Sequence, residues 1–361
     1  MNGREKLMVP PAEFRSYYGR PVLKHPAWEW KVPAYLFTGG LSAGSALLAA
    51  GADLTGRPAL RRTSRLGALA GLGASAYLLV ADLGRPERFH HMLRVAKPTS
   101  PMSVGTWILT AYAPGVGAAA LAELLAARTG PATHGTTPGR SPAPLAISRR
   151  MATLPIGSSR HKPAYGGKGK THETRPGRLV RLLGAVARPA GLSSAAIAPA
   201  VASYTAVLLS QTAVPGWHEA HPYLPFVFTG SAAASAGGLG MALTPVSEAG
   251  PARTFAAYGG LCELAASTVM ERRLGLVSEA YRTGQAHRLR RWSEYLTAAG
   301  VLGTLAARRS RTVAVAAGLS LLAGSVLQRF GTFEAGVAST RDPKYVVVPQ
   351  RERLDARSRN A

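Results

Sequence analysis

Apolar and polar positions fall in long blocks along this chain. Eight apolar runs, at about 33–53, 64–82, 102–125, 192–213, 222–246, 252–271, 293–307 and 312–329, are separated by segments that hold nearly all the Lys and Arg. The runs approach the ~20 residues that a helix needs to cross the hydrocarbon core of a bilayer. The pattern predicts an all-α, polytopic membrane protein with about eight transmembrane helices joined by basic loops.

Composition refines that picture. The chain has 361 residues, 47% of them hydrophobic, and a formal net charge of +25. On a soluble protein such a charge would point to nucleic acid or an anionic surface, but here it lies between apolar runs. The mean hydropathy is only +0.05, because the runs are built from Ala, Gly and Ser and because one loop is very polar. Small residues such as Gly40 and Gly44, or Gly237, Gly238 and Gly240, let helices approach closely in lipid, so a compact bundle is expected. The chain then divides into an N-terminal interfacial segment (1–32), helices 1–3 (33–127), a basic Pro/Gly-rich loop (128–190), helices 4–8 (191–330) and a polar C-terminal tail (331–361). The loop offers little to bury and reads as largely disordered. Its last part, "RLVRLLGAVAR", sets Arg178, Arg181 and Arg188 among aliphatics, as in a short helix lying on anionic lipid or in a solvated linker. With no aromatic stacking platform in it, nucleic-acid binding is poorly supported. The N-terminus lacks the short apolar core of a cleaved signal peptide, so insertion is expected to rely on helix 1.

Cys262 is the single cysteine. Hence no internal disulfide and no iron–sulfur cluster is expected in this chain. Haem is not expected either, since His25, His90, His91, His218, His221 and His287 fall in loops or at helix ends. No metal site is assigned. With eight spans both termini share one side with the loops after helices 2, 4 and 6. The Lys and Arg count favours cytoplasmic termini when the long loop is set aside, and reverses when it is included.

Two further patterns bear on function. "HPAWEWKVPAYLFTGGLSAG" at helix 1 and "HPYLPFVFTGSAAASAG" at helix 5 share His-Pro, Pro and Phe-Thr-Gly in order. They fit two four-helix halves related by an axis along the membrane normal, or chance likeness between small-residue helices. A binding site would then lie near the interface of the halves. The second pattern is "ADLGRPERFHHMLRVAKPTSPMSVG". Here Asp82 ends helix 2, where the helix dipole disfavours an acid, so a partner such as Arg85 or Arg88 is expected. The group Asp82, Arg85, Arg88, His90, His91 and Arg94 reads either as anchors at the membrane boundary or as a site for an oxygen-rich head group and its protons. Glu263, within helix 6, is an acid inside a span and a functional candidate on that ground. It suits a proton station or a hydrogen bond between helices.

The stretches "WEWKVPAYLFTGGLSAGS", "ADLGRPERFHHMLRVAKPTSPMSVGTW" and "SYTAVLLSQTAVPGWHEAH" together resemble the NrfD/PsrC family, the membrane subunits of polysulfide reductase and related molybdoenzyme complexes. The resemblance runs from about Trp28 to helix 5; the long loop departs from the compact family pattern. It implies a haem-free, eight-helix subunit in a bacterial cell membrane that reacts with quinone, menaquinone by analogy with bacterial relatives. Partners would be a four-cluster iron–sulfur subunit and a molybdopterin catalytic subunit, so this chain would lack the substrate's catalytic centre. Carried over, Tyr204 resembles a tyrosine that hydrogen-bonds a quinone carbonyl, and His25, Trp28 and Tyr35 lie where the family contributes to that pocket. Quinone chemistry needs carbonyl donors, a flat apolar slot and a proton path to one surface. Trp28 and Trp217 suit the slot or an interfacial aromatic belt, and Asp82, His90, His91, His218 or Glu263 suit the proton path. Arg85, Arg88, Arg94 and Lys97 would face the iron–sulfur partner. Two other readings stand beside this one, a passive anchor for such a complex and a solute transporter built on the repeat.

Overall fold

The computed structural model describes residues 22–94, 96–128 and 178–360, and no strand occurs among them. Eight long helices carry the fold. The first four are α1 (Lys31–Leu54), α2 (Pro58–Ala81), α3 (Pro101–Arg128) and α4 (Arg178–Ser210). After a short α5 (Pro215–His218) come α6 (Leu224–Leu243) and α7 (Gly250–Arg273). A one-turn α8 (Ser278–Arg282) precedes α9 (Gly284–Ala306) and α10 (Arg311–Ser339), and α11 (Lys344–Asn360) ends the chain. The eight long helices stand where the apolar runs place them. Six are long and apolar enough to span a membrane by length and composition alone: α1, α2, α3, Gly184–Ser210 of α4, α6 and α10. The other two, α7 and α9, hold charged residues within their bounds but pack against each other, and against α6 and α10 respectively. The protein is thus an all-α, polytopic membrane protein.

Several boundaries move. Helix α4 starts at Arg178, not 192, so the segment up to 190 is not all loop: Ala187 is buried and Arg188 pairs with Asp53 of α1 at 3.5 Å. Residues 129–177 of the long loop, and 1–21 of the N-terminal segment, lie outside the described residues. Helix α9 begins at Gly284 rather than 293, and in its first turns Arg290 is paired with Glu271 and, at 3.4 Å, with Glu294. Helix α10 runs through 329 to Ser339, and the stretch read as a polar tail from 331 continues that helix before turning into α11.

Helix ends are fixed by chemistry that the apolar pattern does not reveal. Pro58 opens α2, where a missing N–H costs nothing, and the Glu248 carboxylate accepts from the Ala59 N–H at 2.7 Å. An acid on the positive end of the α2 dipole is favourable. At the end of α6 the Arg311 guanidinium donates to the carbonyls of Met241 at 2.9 Å and Thr244 at 2.7 Å. A cation on the last carbonyls satisfies groups that no helix bond can reach.

The helices pair as α1 with α2, α3 with α4, α6 with α7 and α9 with α10. Within the first four, α1 also packs on α4 and α2 on α3; within the second set, α6 packs on α10 and α7 on α9. The two sets meet through α1 and α6, flanked by α4 on α6 and α1 on α10. This equivalence is the arrangement expected of two four-helix halves. The shared Phe-Thr-Gly motif occupies corresponding places: a Cβ on Gly39 would lie 3.1 Å from Ser75 Oγ, and one on Gly230 would lie 3.1 Å from Glu263 Cα. Ser75 of α2 and Glu263 of α7 therefore answer to each other across the halves. Close packing of small residues joins the halves, with a Cβ on Gly44 reaching 2.8 Å from Ala236.

Candidate functional site

An apolar slot opens at the face shared by residues 22–30, the connection 82–100 and the end of α4. It encloses about 110 Å³ of free volume. Val32, Leu79, Ile108, Leu109, Val201 and Leu208 form its walls, and Trp28, Met92 and Met102 stand toward its mouth. All four helices of the first half contribute, so the slot lies inside that half and not between the halves as the repeat suggested. The four long helices converge there because α1 and α3 begin, and α2 and α4 end, at this face.

Of the residues predicted from sequence, Asp82, Tyr204, Trp28 and Tyr35 meet in this slot. Tyr35 is 9% exposed, and its hydroxyl makes no hydrogen bond among the described residues. Tyr204 differs, because its hydroxyl donates to the Pro101 carbonyl at the start of α3. Gly105 is what admits the Tyr204 ring, since a Cβ there would overlap it. Gly105→Ala is accordingly expected to displace Tyr204 and lower thermal stability by about 1–3 kcal/mol, the usual cost of overpacking. Thermal unfolding of the detergent-purified protein measures it.

Asp82 caps α2 and lies just beyond its last turn. No ion pair joins it to Arg85 or Arg88 among the described residues, which corrects the expected partnership. Burial raises its carboxyl above the ordinary carboxylate range; the positive charge of Lys31 opposes that shift and the negative charge of Glu29 adds to it. The charge facing Asp82 is thus on the segment entering α1, because the chain after Asp82 turns away into a 3-10 helix over Pro86–Leu93.

Other predicted residues stand outside the slot. His90 and His91 are exposed on the 3-10 helix, and Met92 is the residue of that helix which faces inward. His25 is exposed and its Nδ1 bonds the Pro26 carbonyl at 2.8 Å. His218 is exposed, with Nδ1 on the Ser210 carbonyl at 3.1 Å. Trp217 is fully buried; it stacks on Trp28 with ring centroids 5.5 Å apart and donates Nε1 to the Thr332 carbonyl at 3.0 Å. It therefore fixes Trp28 rather than touching the slot itself. Arg85, Arg88, Arg94 and Lys97 are exposed on the same face. Glu263 sits in the second half, where Thr297 donates to its Oε1 at 3.3 Å.

Sequence reasoning missed Ser75, Gly105 and Thr205 in the slot. It singled out Glu263 as an acid inside a span but not Arg65, Glu123, Arg290 and Arg329, which are buried as well. Arg329 donates Nη2 to the Phe228 carbonyl at 2.8 Å, stacks over the Phe228 ring at 3.8 Å, and lies near enough to Glu263 to feel its charge. The signal was present as charged residues at the ends of apolar runs, where they read as loop anchors.

A search among curated proteins finds no match. A family model described as "Polysulphide reductase, NrfD" matches residues 22–254, which take in the slot, the first half and the junction with the second. With that match over most of its length, the chain belongs to the NrfD family and is one of its multi-pass membrane proteins.

Proposed function

We propose that this chain is the quinone-reactive membrane subunit of a molybdopterin and iron–sulfur oxidoreductase complex, passing electrons between a four-cluster iron–sulfur partner and a quinone, menaquinone by family resemblance. Membership of the NrfD family carries the coarser part, a membrane subunit of oxidoreductase complexes. The observation that supports the finer part is the slot itself: a hydroxyl without a partner among the described residues, on the buried Tyr35, beside a carboxyl, on Asp82, inside apolar walls at one membrane face.

Those residues suit a quinone head group. The bound quinone would supply the two-electron redox chemistry. The chain's own residues would hold the ring between Val32, Leu79, Ile108 and Leu208, while Tyr35 offers a donor to one carbonyl. Asp82 stands at the mouth, where it can take up or release a proton toward water. Ligand pockets usually enclose ~300 Å³ or more, so the present 110 Å³ must widen for a ring to enter. Met92 and Met102 suit that opening, because unbranched thioether side chains re-pack readily. Tyr204 keeps α3 and α4 in register through Pro101 and becomes a second donor only if it leaves that carbonyl. The exposed Arg85, Arg88, Arg94 and Lys97 offer the iron–sulfur partner a basic surface beside the slot.

The test is a pull-down of the tagged protein from native membranes in mild detergent, with co-purifying chains identified by mass spectrometry. The expected result is a protein with four cysteine-rich cluster motifs together with a large molybdopterin subunit. Recovery of the chain alone in repeated mild extractions would sink the proposal.

A further inference from the structure

A second, larger groove of about 560 Å³ lies on the outer side of the second half, between the end of α7, α8 and the start of α9. Nothing in the quinone reading uses it. Four guanidiniums line it, those of Arg272, Arg282, Arg290 and Arg291, against two carboxylates, Glu271 and Glu294.

The charges are not equivalent. The side chain of Arg290 is only 4% exposed; it pairs with Glu271, stands 3.4 Å from Glu294, and lies over the Tyr281 ring at 5.3 Å. This triad forms the back of the groove; Glu294 also takes Arg291 at 3.4 Å, and Arg291 Nη2 donates to the Tyr295 hydroxyl at 2.6 Å, so Arg272 and Arg282 are the less committed pair. Arg272 is exposed and makes no hydrogen bond or ion pair among the described residues. Arg282 is 55% exposed and reaches Glu271 only at 3.9 Å. The groove thus retains an excess of two positive charges, presented as planar forks that match phosphate oxygens.

Its position narrows the ligand. Exposed Trp292 and Tyr295, set edge to face at 6.3 Å, stand beside the arginines of α9, as aromatic side chains do at a membrane–water boundary. On α7, Leu264 of the groove is followed one turn deeper by Leu261, which is 53% exposed; on α9, Ala298 is followed by Leu302, which is 67% exposed. Residues three and four apart share a helix face, so the charged groove runs into an apolar furrow along the same two helices.

We infer that this groove binds an anionic phospholipid, its phosphate among Arg272, Arg282 and Arg291 and its acyl chains along Leu264, Ala298, Leu261 and Leu302. The phosphate chemistry is shared with free inorganic phosphate; the furrow favours the lipid.

The test uses the full chain purified in mild detergent and washed, with retained lipid measured by native mass spectrometry. The expected result is retention of phosphatidylglycerol or cardiolipin in preference to phosphatidylethanolamine. In an Arg272→Gln/Arg282→Gln variant, retention should fall about twenty- to thirtyfold, the factor expected for two basic contacts to anionic lipid. The single Arg272→Gln variant changes an exposed, unpaired side chain and should fall in the same direction with folding intact. Arg357→Gln, exposed on α11, should retain lipid as the wild type does. Equal retention in wild type and both groove variants overturns the inference. So does inorganic phosphate that raises the melting temperature of the lipid-free chain as far as the anionic lipid does, since that would make the groove a site for soluble phosphate.

Discussion

Asp82→Asn is expected to lower quinone turnover by the assembled complex about a hundredfold, within the ~10²–10⁴ that a positioned acid–base group contributes, while leaving assembly unchanged. The substitution keeps the size of the side chain and removes only its ability to exchange a proton. Asp82 makes no ion pair among the described residues, so its neutral replacement strands no buried cation. Tyr35→Phe removes the slot's unpartnered hydroxyl and should cost a smaller factor, about tenfold in kcat/KM, seen as a raised KM with kcat unchanged if the hydroxyl contacts the bound quinone equally before and in the transition state. The pH dependence supplies a separate check. Burial raises the Asp82 carboxyl, with Glu29 adding and Lys31 opposing. As the acid that delivers a proton during quinone reduction, Asp82 must be protonated, so the rate should fall as pH rises through its pKa. Lys31→Gln removes the opposing charge and should move that limb to higher pH; in Asp82→Asn the limb should be absent. Steady-state quinone reduction in proteoliposomes, followed optically across pH, measures all three. Full turnover in both Asp82→Asn and Tyr35→Phe would make the chain an anchor without quinone chemistry.

Trp28, Tyr35 and Tyr204 were legible through the family resemblance and Asp82 through its charge at the end of an apolar run, and the topology shows why they meet. Trp28 and Tyr35 precede or begin helix 1, Asp82 ends helix 2 and Tyr204 lies near the end of helix 4. Antiparallel spans of similar length bring those ends to one face. What topology cannot fix is local rotation. His90 and His91 adjoin Asp82 in sequence, yet the 3-10 helix they occupy turns Met92 inward instead. Trp217 follows the same logic: the sequence brings it close to Trp28, but its indole is spent on Thr332 and the core. Buried cations were the larger omission. Arg329 and Arg290 end apolar runs or lie in charged stretches, so the pattern reads them as solvent-facing, and only partners distant in sequence, such as Phe228 and Glu271, reveal that they point inward.

The same omission conceals a charged cluster at the other face of the first half. Arg65 of α2, with a side chain 8% exposed, places Nη1 3.0 Å from Glu123 of α3 and Nη2 3.7 Å from Asp53 of α1. Arg61 reaches Glu123 at 2.7 Å and Asp53 at 3.3 Å. One cluster thereby links α1, α2 and α3, and Arg188 extends it to α4. Arg65→Leu leaves two nearly buried carboxylates to Arg61 and the exposed Arg188. The expected loss is about 3–5 kcal/mol, the cost of removing one partner from a buried ion pair, read as a lower melting temperature in mild detergent. The double variant Arg65→Leu/Glu123→Leu discriminates between causes. If the loss comes from stranding Glu123, the double variant should recover most of it, because apolar replacement of a whole buried pair is often neutral; Arg61 keeps Asp53. If Arg65 acts only by filling space between α2 and α4, the two single losses should simply add. Such additivity would reduce the cluster to a packing contact, whereas recovery would show that these charges are tolerated in the bundle because they answer one another.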